Sequence, residues 1–466
     1  MRNDAVHVGR QAIPQKPSVL CMVALLAAAN TSVSGEAVKY WATALTRGVT
    51  EGAFSVQETL DRGAIVAGWR SGPDAFADRP RTMLVRLTAS GTVKWQETLA
   101  APSYGGDEYL YRVRQTSDGG FIAVGSAGVP DWYAAAVLKL NRAGKIIWKT
   151  YLNGGSAWAR DVLLTRDGGC VVLAGIEYRD LEPPDLYLIK LDRDGVVEWQ
   201  RRYGSRPQRE WASSILQTSD GGYFITALSY LWYPLLVRLD PTGAIMWSKY
   251  VPFYVWLDDV VSACETEDGG YLISFNDGKE MLGDDTDIYL MRLDSSGNAV
   301  WQKKFGSEYP DLVRQVIRTR DGDFVAVGIT KKKASYSDAF LMKIDPSGAI
   351  IWQRTYGSPV GPESGNSVCE TKDGGFLIAG NSRSFGSGDS DIWVLRLDKD
   401  GLLGGSSCDI IGTAELRPSA TKLKLKGYKA SVFGVNSVPD TLEWAATATQ
   451  LTASQPCSSA AEGAQR

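Results

Sequence analysis

Thr218-Ser219-Asp220-Gly221-Gly222-Tyr223 and, sixteen residues on, Leu239-Asp240-Pro241-Thr242-Gly243-Ala244-Ile245-Met246-Trp247 are the two halves of one repeating unit. Asp-Gly and the later x-x-Gly each supply the positive φ that a tight hairpin needs. The Asp-Gly turn returns at Asp118, Asp167, Asp268, Asp321 and Asp373, and in worn form at Asp61-Arg62-Gly63. Basic-Leu-Asp-x-x-Gly begins at Lys190, Arg238 and Arg396, with weaker copies from Arg86 and Lys139. A tryptophan closes each unit at Trp41, Trp95, Trp148, Trp199, Trp247, Trp301 and Trp352, spaced 48 to 54 residues apart. Between the turns lie runs such as Phe121-Ile122-Ala123-Val124-Gly125 and Tyr187-Leu188-Ile189-Lys190-Leu191. They are rich in β-branched and aromatic residues and too short for helices, so they read as strands.

Each unit is therefore a four-stranded antiparallel meander, and seven of them predict an all-β seven-bladed β-propeller. Strand a precedes Asp-Gly, strand b follows it, strand c ends in basic-Leu-Asp, and strand d carries the tryptophan. The chain opens with a lone tryptophan strand, residues 37–45, and its last repeat stops after strand c at Asp398. Pairing the two completes one blade and removes the open edges of an unclosed ring. The expected organisation is a signal peptide at 1–35, the propeller at 36–403 and a β-rich tail at 404–466.

The run from Leu239 to Trp247 resembles the tryptophan-docking motif of the quinoprotein-like (PQQ-like) propeller superfamily. The Thr-x-Asp-Gly-Gly-(Phe/Tyr) and Leu-Asp-x-x-Gly-x-x-x-Trp pattern is similar to the repeats of secreted bacterial and archaeal propellers of unknown function, from Ala37 to Gly401. The resemblance implies that the seven tryptophans pack between neighbouring blades. Quinoprotein dehydrogenases usually carry eight blades, an adjacent-cysteine pair and a calcium-bound cofactor, whereas this chain has seven blades and no Cys-Cys pair. No quinone cofactor is expected.

Before the repeats, Arg2, Arg10 and Lys16 precede an apolar run from Val19 to Ala29 and then small residues to Gly35. That order is a secretory signal, too short to span a bilayer, so an extracytoplasmic protein without a transmembrane segment is expected. Removing it removes His7, the only histidine, and with it every histidine-based nucleophile, general base or zinc site. With 50 basic against 53 acidic residues, no nucleic-acid partner is expected. In an oxidising compartment, Cys408 and Cys457 can close the tail as one disulfide.

Ten residues before the Asp of each Asp-Gly turn stand Glu51, Glu108, Ala157, Glu210, Asp258, Asp311 and Glu363. Six acids opening the strand nearest the axis would form a partial ring at one channel mouth and offer oxygens to a cation such as Ca2+, the one cofactor the sequence leaves open. The competing reading has them accept backbone N–H groups in the loops joining blades. A second recurring acid opens strand c at Asp185, Asp287, Asp338 and Asp391, and reads as a solvated turn acid.

The d–a and b–c connections share one face, where Tyr230, Trp232, Tyr233, Phe253, Tyr254 and Trp256 gather around blades 4 and 5. Aromatics on a rigid scaffold stack on sugars or anchor a protein partner. The sequence thus predicts a monomeric, non-catalytic scaffold that binds a protein or glycan through this loop face. The alternative is a polysaccharide lyase or hydrolase using Glu210 and Asp258 as acid and base.

Overall fold

A computed structural model of the chain describes residues 40–403, apart from loop segments 47–48, 72–79, 101–106, 130–131, 153–155, 178–183, 205–208, 256–260, 277–285, 332–335 and 387–388. In the tail it describes 410–412, 416–421, 426–427, 431–434, 445–448 and 452–458. Residues 1–35, expected from the sequence to be a signal peptide, lie outside the described residues. No helix of the described residues is long and apolar enough to cross a membrane.

Seven antiparallel sheets follow one another along the chain, each built from strands a to d in order. Strand a is Glu51–Glu58, Tyr109–Gln115, Ser156–Leu164, Trp211–Gln217, Ser262–Glu265, Asp311–Arg318 and Glu363–Glu370 in blades 1 to 7. Each innermost strand packs against the next around the ring, and that of blade 7 returns to blade 1. Blade 7 takes its fourth strand from the other end of the chain: Trp41–Thr46 pairs with Asp391–Leu397, placing Trp41 opposite Arg396 and Leu45 opposite Ile392. The protein is a seven-bladed β-propeller closed by its N-terminal strand.

The repeated motifs are the joints of this ring. In the Asp-Gly turn of blade 2, Gly120 N–H donates to Asp118 Oδ1 at 2.8 Å, and Lys139 of basic-Leu-Asp reaches across the blade to Asp118 Oδ2 at 2.9 Å. The same intra-blade pair occurs in all seven blades: Arg86 with Asp61, Lys190 with Asp167, Arg238 with Asp220, Arg292 with Asp268, Lys343 with Asp321 and Arg396 with Asp373. A basic residue was needed in strand c because its buried stem must deliver a charge to the turn acid of its own blade.

The tryptophans join one blade to the next. Trp148 Nε1 donates to the Arg193 carbonyl at 2.9 Å, in the c–d turn of the following blade. Gly195 of that turn has φ +83°, and a Cβ there would lie 2.6 Å from the Trp148 ring. The turn therefore demands glycine twice, for its conformation and for the indole it accepts. Trp41, Trp95, Trp247 and Trp301 make the same indole-to-carbonyl bond with Ala89, Arg142, Ser295 and Pro346.

Two polar belts on the innermost strands staple neighbouring blades further. Ser55, Asp161, Ser262, Gln315 and Ser367 occupy one repeat position and accept the backbone N–H of Val113, Ile215, Val316, Val368 and Val56 in the next blade, at 2.8–3.4 Å. Three residues on, Glu58, Gln115, Glu265 and Glu370 accept N–H groups of the preceding blade's turn at 2.7–3.0 Å.

The tail supplies fifth strands rather than a separate sheet. Ile411–Gly412 pairs with strand d of blade 6, Arg417–Ala420 with blade 5, Lys426–Gly427 with blade 4 and Ser431–Gly434 with blade 3. Ala445–Ala448 then pairs with blade 1 and Thr452–Ser458 with the Trp41–Thr46 strand of blade 7. All pairings are antiparallel, so the tail runs around the outer rim against the order of the blades. The outermost edge of a propeller blade is its one unpaired ladder, and among the described residues the tail covers it in six of the seven blades.

The turn carboxylates set an acid limit on stability. In Asp61 and Asp118, burial pushes upward but is outweighed by hydrogen bonds from Thr59 and Lys94, and from Thr116 and Lys139, which hold both near 2. Asp268 sits near 2 chiefly through its bond from Thr266, and Asp167, Asp220 and Asp321 are also lowered. Depressed carboxyls contribute stability above their ordinary value of 3.8 and lose it as the pH falls toward 2. Asp311 and Glu363, raised mainly by burial, run the other way and lose stability as the pH rises through their folded values. With Asp240, Asp294 and Asp345 also lowered and Glu97 also raised, the lowered acids outnumber the raised ones nine to three, so the thermal midpoint should drop steeply between about pH 4 and pH 2. A scan showing the main loss above pH 5 would contradict this assignment.

Candidate functional site

Among the described residues, six innermost strands carry a bulge, with register shifts at Ala53/Ser55, Leu110/Arg112, Ala159/Asp161, Ala212/Ser214, Val313/Gln315 and Gly365/Ser367. A bulge re-aims the side chain of the extra residue. Those residues are Phe54, Tyr111, Arg160, Ser213, Arg314 and Asn366, near the loop-face end of strand a. Two positions earlier stand Tyr109, Trp158 and Trp211 in blades 2, 3 and 4.

These positions build an arc of half-buried rings across four consecutive blades. Phe54 lies 5.4 Å from Tyr111 and 6.2 Å from Tyr109, and the two tyrosines stack at 6.0 Å. Trp69 of strand b meets Tyr109 edge-on at 6.2 Å, filling space left by Gly52, where a Cβ would be 2.6 Å from the indole nitrogen. The guanidinium of Arg160, an exposed residue, lies 4.5 Å over the Tyr111 ring, a cation–π contact across the joint of blades 2 and 3. Tyr133 lies 6.0 Å from Trp158, and Trp211 stacks on Trp232 at 4.1 Å. Burial, with the Asp107 charge second, pushes the Tyr109 hydroxyl up to about 12, so it stays a neutral donor at physiological pH.

The aromatics predicted from sequence divide into two groups. Trp232 joins the arc through Trp211 and sits at φ +57° in a Ser229–Tyr233 turn that strand propensity does not anticipate. Tyr233 stacks on Tyr250 at 5.8 Å, while Phe253 packs against Tyr289 at 4.7 Å and Phe275 at 5.8 Å in blade 5. Tyr230 and Tyr254 are exposed. Trp256 lies outside the described residues. The arc itself was missed, although counting nine and seven residues back from each turn Asp, instead of ten, would have found it.

The predicted acid ring is not open to the channel. Glu51, Glu108, Glu210, Asp311 and Glu363 are all buried, and Asp258 lies outside the described residues. Asp311 accepts the Ser307 N–H at 2.6 Å, and Glu363 accepts the Ser358 N–H at 3.0 Å and the Ser382 hydroxyl at 2.9 Å. Glu108 faces Arg81 at 3.6 Å. Asp311 and Glu363 thus turn toward the connecting loop and their own blade, because the loop amides there need acceptors. Of the strand-c acids, Asp185, Asp287 and Asp391 are buried, the first two paired with Arg202 and Lys304, while Asp338 is half-buried. No group of three or more Cys, His, Asp or Glu close enough to share a metal ion occurs among the described residues. Cys408 lies outside the described residues and the Cys457 side chain is not described, so the proposed disulfide falls beyond them. Cys170, Cys264 and Cys369 are free thiols, each pushed up to about 12 by burial.

No family model matches the chain, and no curated protein matches it. Among solved structures, it is similar to a protein of unknown function from Bacteroides caccae, with 13% identity over 67% of this chain and 93% of that one and a TM-score of 0.39. It is also similar to an alpha-L-arabinanase from Penicillium chrysogenum, solved with arabinobiose, at 12% identity over 62% and 93% with a TM-score of 0.42. Sqt1 from Chaetomium thermophilum matches at 10% identity over 76% and 97%, TM-score 0.42.

Proposed function

We propose that this protein is a non-catalytic binding propeller acting outside the cytoplasm, and that it holds a glycan against the arc formed by Phe54, Tyr109, Tyr111, Trp158 and Trp211. The observation that carries this reading is five half-buried rings on successive strands, with Trp232 and Arg160 beside them. Aromatic faces with one wet edge suit the apolar faces of sugar rings, and mounting them on strands rather than loops keeps the ordering cost of binding low. Against the polysaccharide-cleaving alternative stands the burial of Glu210, which is 0% exposed and so poorly placed to meet a substrate as acid or base.

A glycan array probed with the full chain tests the reading. Binding should fall at least tenfold in Tyr109→Ala and in Trp158→Ala, and less in Tyr230→Ala and Tyr254→Ala, which lie off the arc. Equal losses in all four, or capture of a protein partner with no glycan bound, would move the site elsewhere. New reducing or unsaturated ends on the bound glycan would favour the enzyme.

A further inference from the structure

The innermost strands of blades 2 to 6 enclose an axial cavity of about 720 Å3, whose lining runs from mid-strand to Thr319 and Arg320 at the Asp-Gly end. Four arginines, Arg112, Arg114, Arg318 and Arg320, line it against two carboxylates, Asp161 and Glu265. Four positive less two negative leaves a surplus of two charges on the cavity wall.

The hydrogen bonds show which charges are already used. Asp161 accepts Arg112 Nε at 2.9 Å and the N–H groups of Val162 and Ile215 at 2.8 and 3.2 Å. Arg114 comes no closer to it than 4.0 Å. Glu265 accepts the N–H and hydroxyl of Ser219 at 2.9–3.0 Å. Arg320 is tied to blade 7 through Glu370 at 3.2 Å and the carbonyls of Thr371 and Lys372. Arg318 pairs at 3.3 Å with Glu267, whose side chain is 84% exposed, and its own buried Nε has no hydrogen-bond partner. Two guanidinium groups with spare donors thus face one cavity from blades 2 and 6, between apolar walls that include Leu163, Ile215 and Ile317. Burial, and then the charge of Arg112, lowers Arg114 below its ordinary value, and the more distant Asp161 offsets this only in part.

We propose that this cavity binds a small organic oxyanion, with Arg114 and Arg318 as its principal ligands. A planar fork of N–H donors matches carboxylate and phosphate oxygens in pairs, and the volume admits a molecule larger than the bare ion. The cavity lies on a different stretch of the innermost strands from the aromatic arc, so neither site depends on the other.

Calorimetric titration of the full chain with inorganic phosphate, glycerol 3-phosphate and galacturonate, using glucose as the neutral control, tests this. At least one anion should bind while glucose does not, with affinity falling as chloride rises. Arg114→Gln and Arg318→Gln should each weaken binding at least tenfold, and Arg320→Gln less than twofold. Arg114→Lys, which keeps the charge but loses the fork, should fall between, and it stands in if Arg114→Gln does not fold. Preference for the phosphates or for galacturonate identifies which oxyanion the site takes. Binding of no anion, or binding untouched by the Arg114 and Arg318 variants, overturns the proposal.

Discussion

Replacing Trp41 by alanine should cost about 3–5 kcal/mol, the range for deleting a fully buried large aromatic. It should cost clearly more than the same change at Trp148. The two residues hold one repeat position, yet Trp41 is 1% exposed whereas Trp148 and the other five are half-buried. The difference comes from the tail. In blades 1 and 3 to 6 the fifth strand pairs only beyond the tryptophan, as at Glu97–Ala100 and Arg201–Gly204, and blade 2 has none among the described residues. In blade 7 it reaches back to place Ser458 opposite Trp41, which is then flanked by Arg396 on the other side. Trp41 also packs with Met83, Val85 and Leu87 of blade 1, so its removal opens the one joint where the ends of the ring meet. Guanidinium unfolding midpoints and thermolysin resistance check this; equal losses at the two positions would show that the closing blade is no more dependent on its tryptophan than an internal one.

Arg396→Met should lose about 3–5 kcal/mol near neutral pH, because removing one partner of a buried ion pair leaves charge behind without compensation. Arg396 Nη2 lies 3.1 Å from Glu58 Oε1 and 3.1 Å from Asp373 Oδ1, and Nη1 donates to the Arg62 carbonyl at 2.9 Å. Glu58 and Arg62 belong to blade 1, Asp373 to blade 7, so one guanidinium bridges the closing joint in addition to the intra-blade bond that every blade makes. Both carboxylates are largely buried, with side chains 6% and 16% exposed. Adding Glu58→Gln to Arg396→Met should restore a sizeable part of the loss, since the amide still accepts from Lys372 N–H without stranding a charge. A double variant no better than the single would mean that packing of the Arg396 stem, not charge, sets the effect.

The ring was legible in the sequence because its turns impose residue types. Gly195 and its equivalents need positive φ, the turn acid needs its basic partner, and each tryptophan needs a following turn to receive its indole. Such requirements recur once per blade and survive drift in the strands between. The bulge residues obey no such rule: Phe54, Tyr111, Arg160, Ser213, Arg314 and Asn366 share a backbone position and nothing else. That freedom marks the axis as the variable part of the molecule, and it hid the aromatic arc. The acids opening strand a recur for the opposite reason where their partners are seen, since loop amides hold Asp311 and Glu363. The tail was legible only as strands, since alternation such as Leu423-Lys424-Leu425-Lys426 does not name the edge it will join.

The rim strands carry a mechanical consequence. Because they are short ladders laid one after another, tension on the C-terminal end would not shear the ring but unzip it serially, from Thr452–Ser458 on blade 7, through blades 1, 3, 4 and 5, to Ile411–Gly412 on blade 6. The first rupture is also the longest ladder and the one holding the N-terminal strand, so the latch that guards the seam is the outermost turn of the winding.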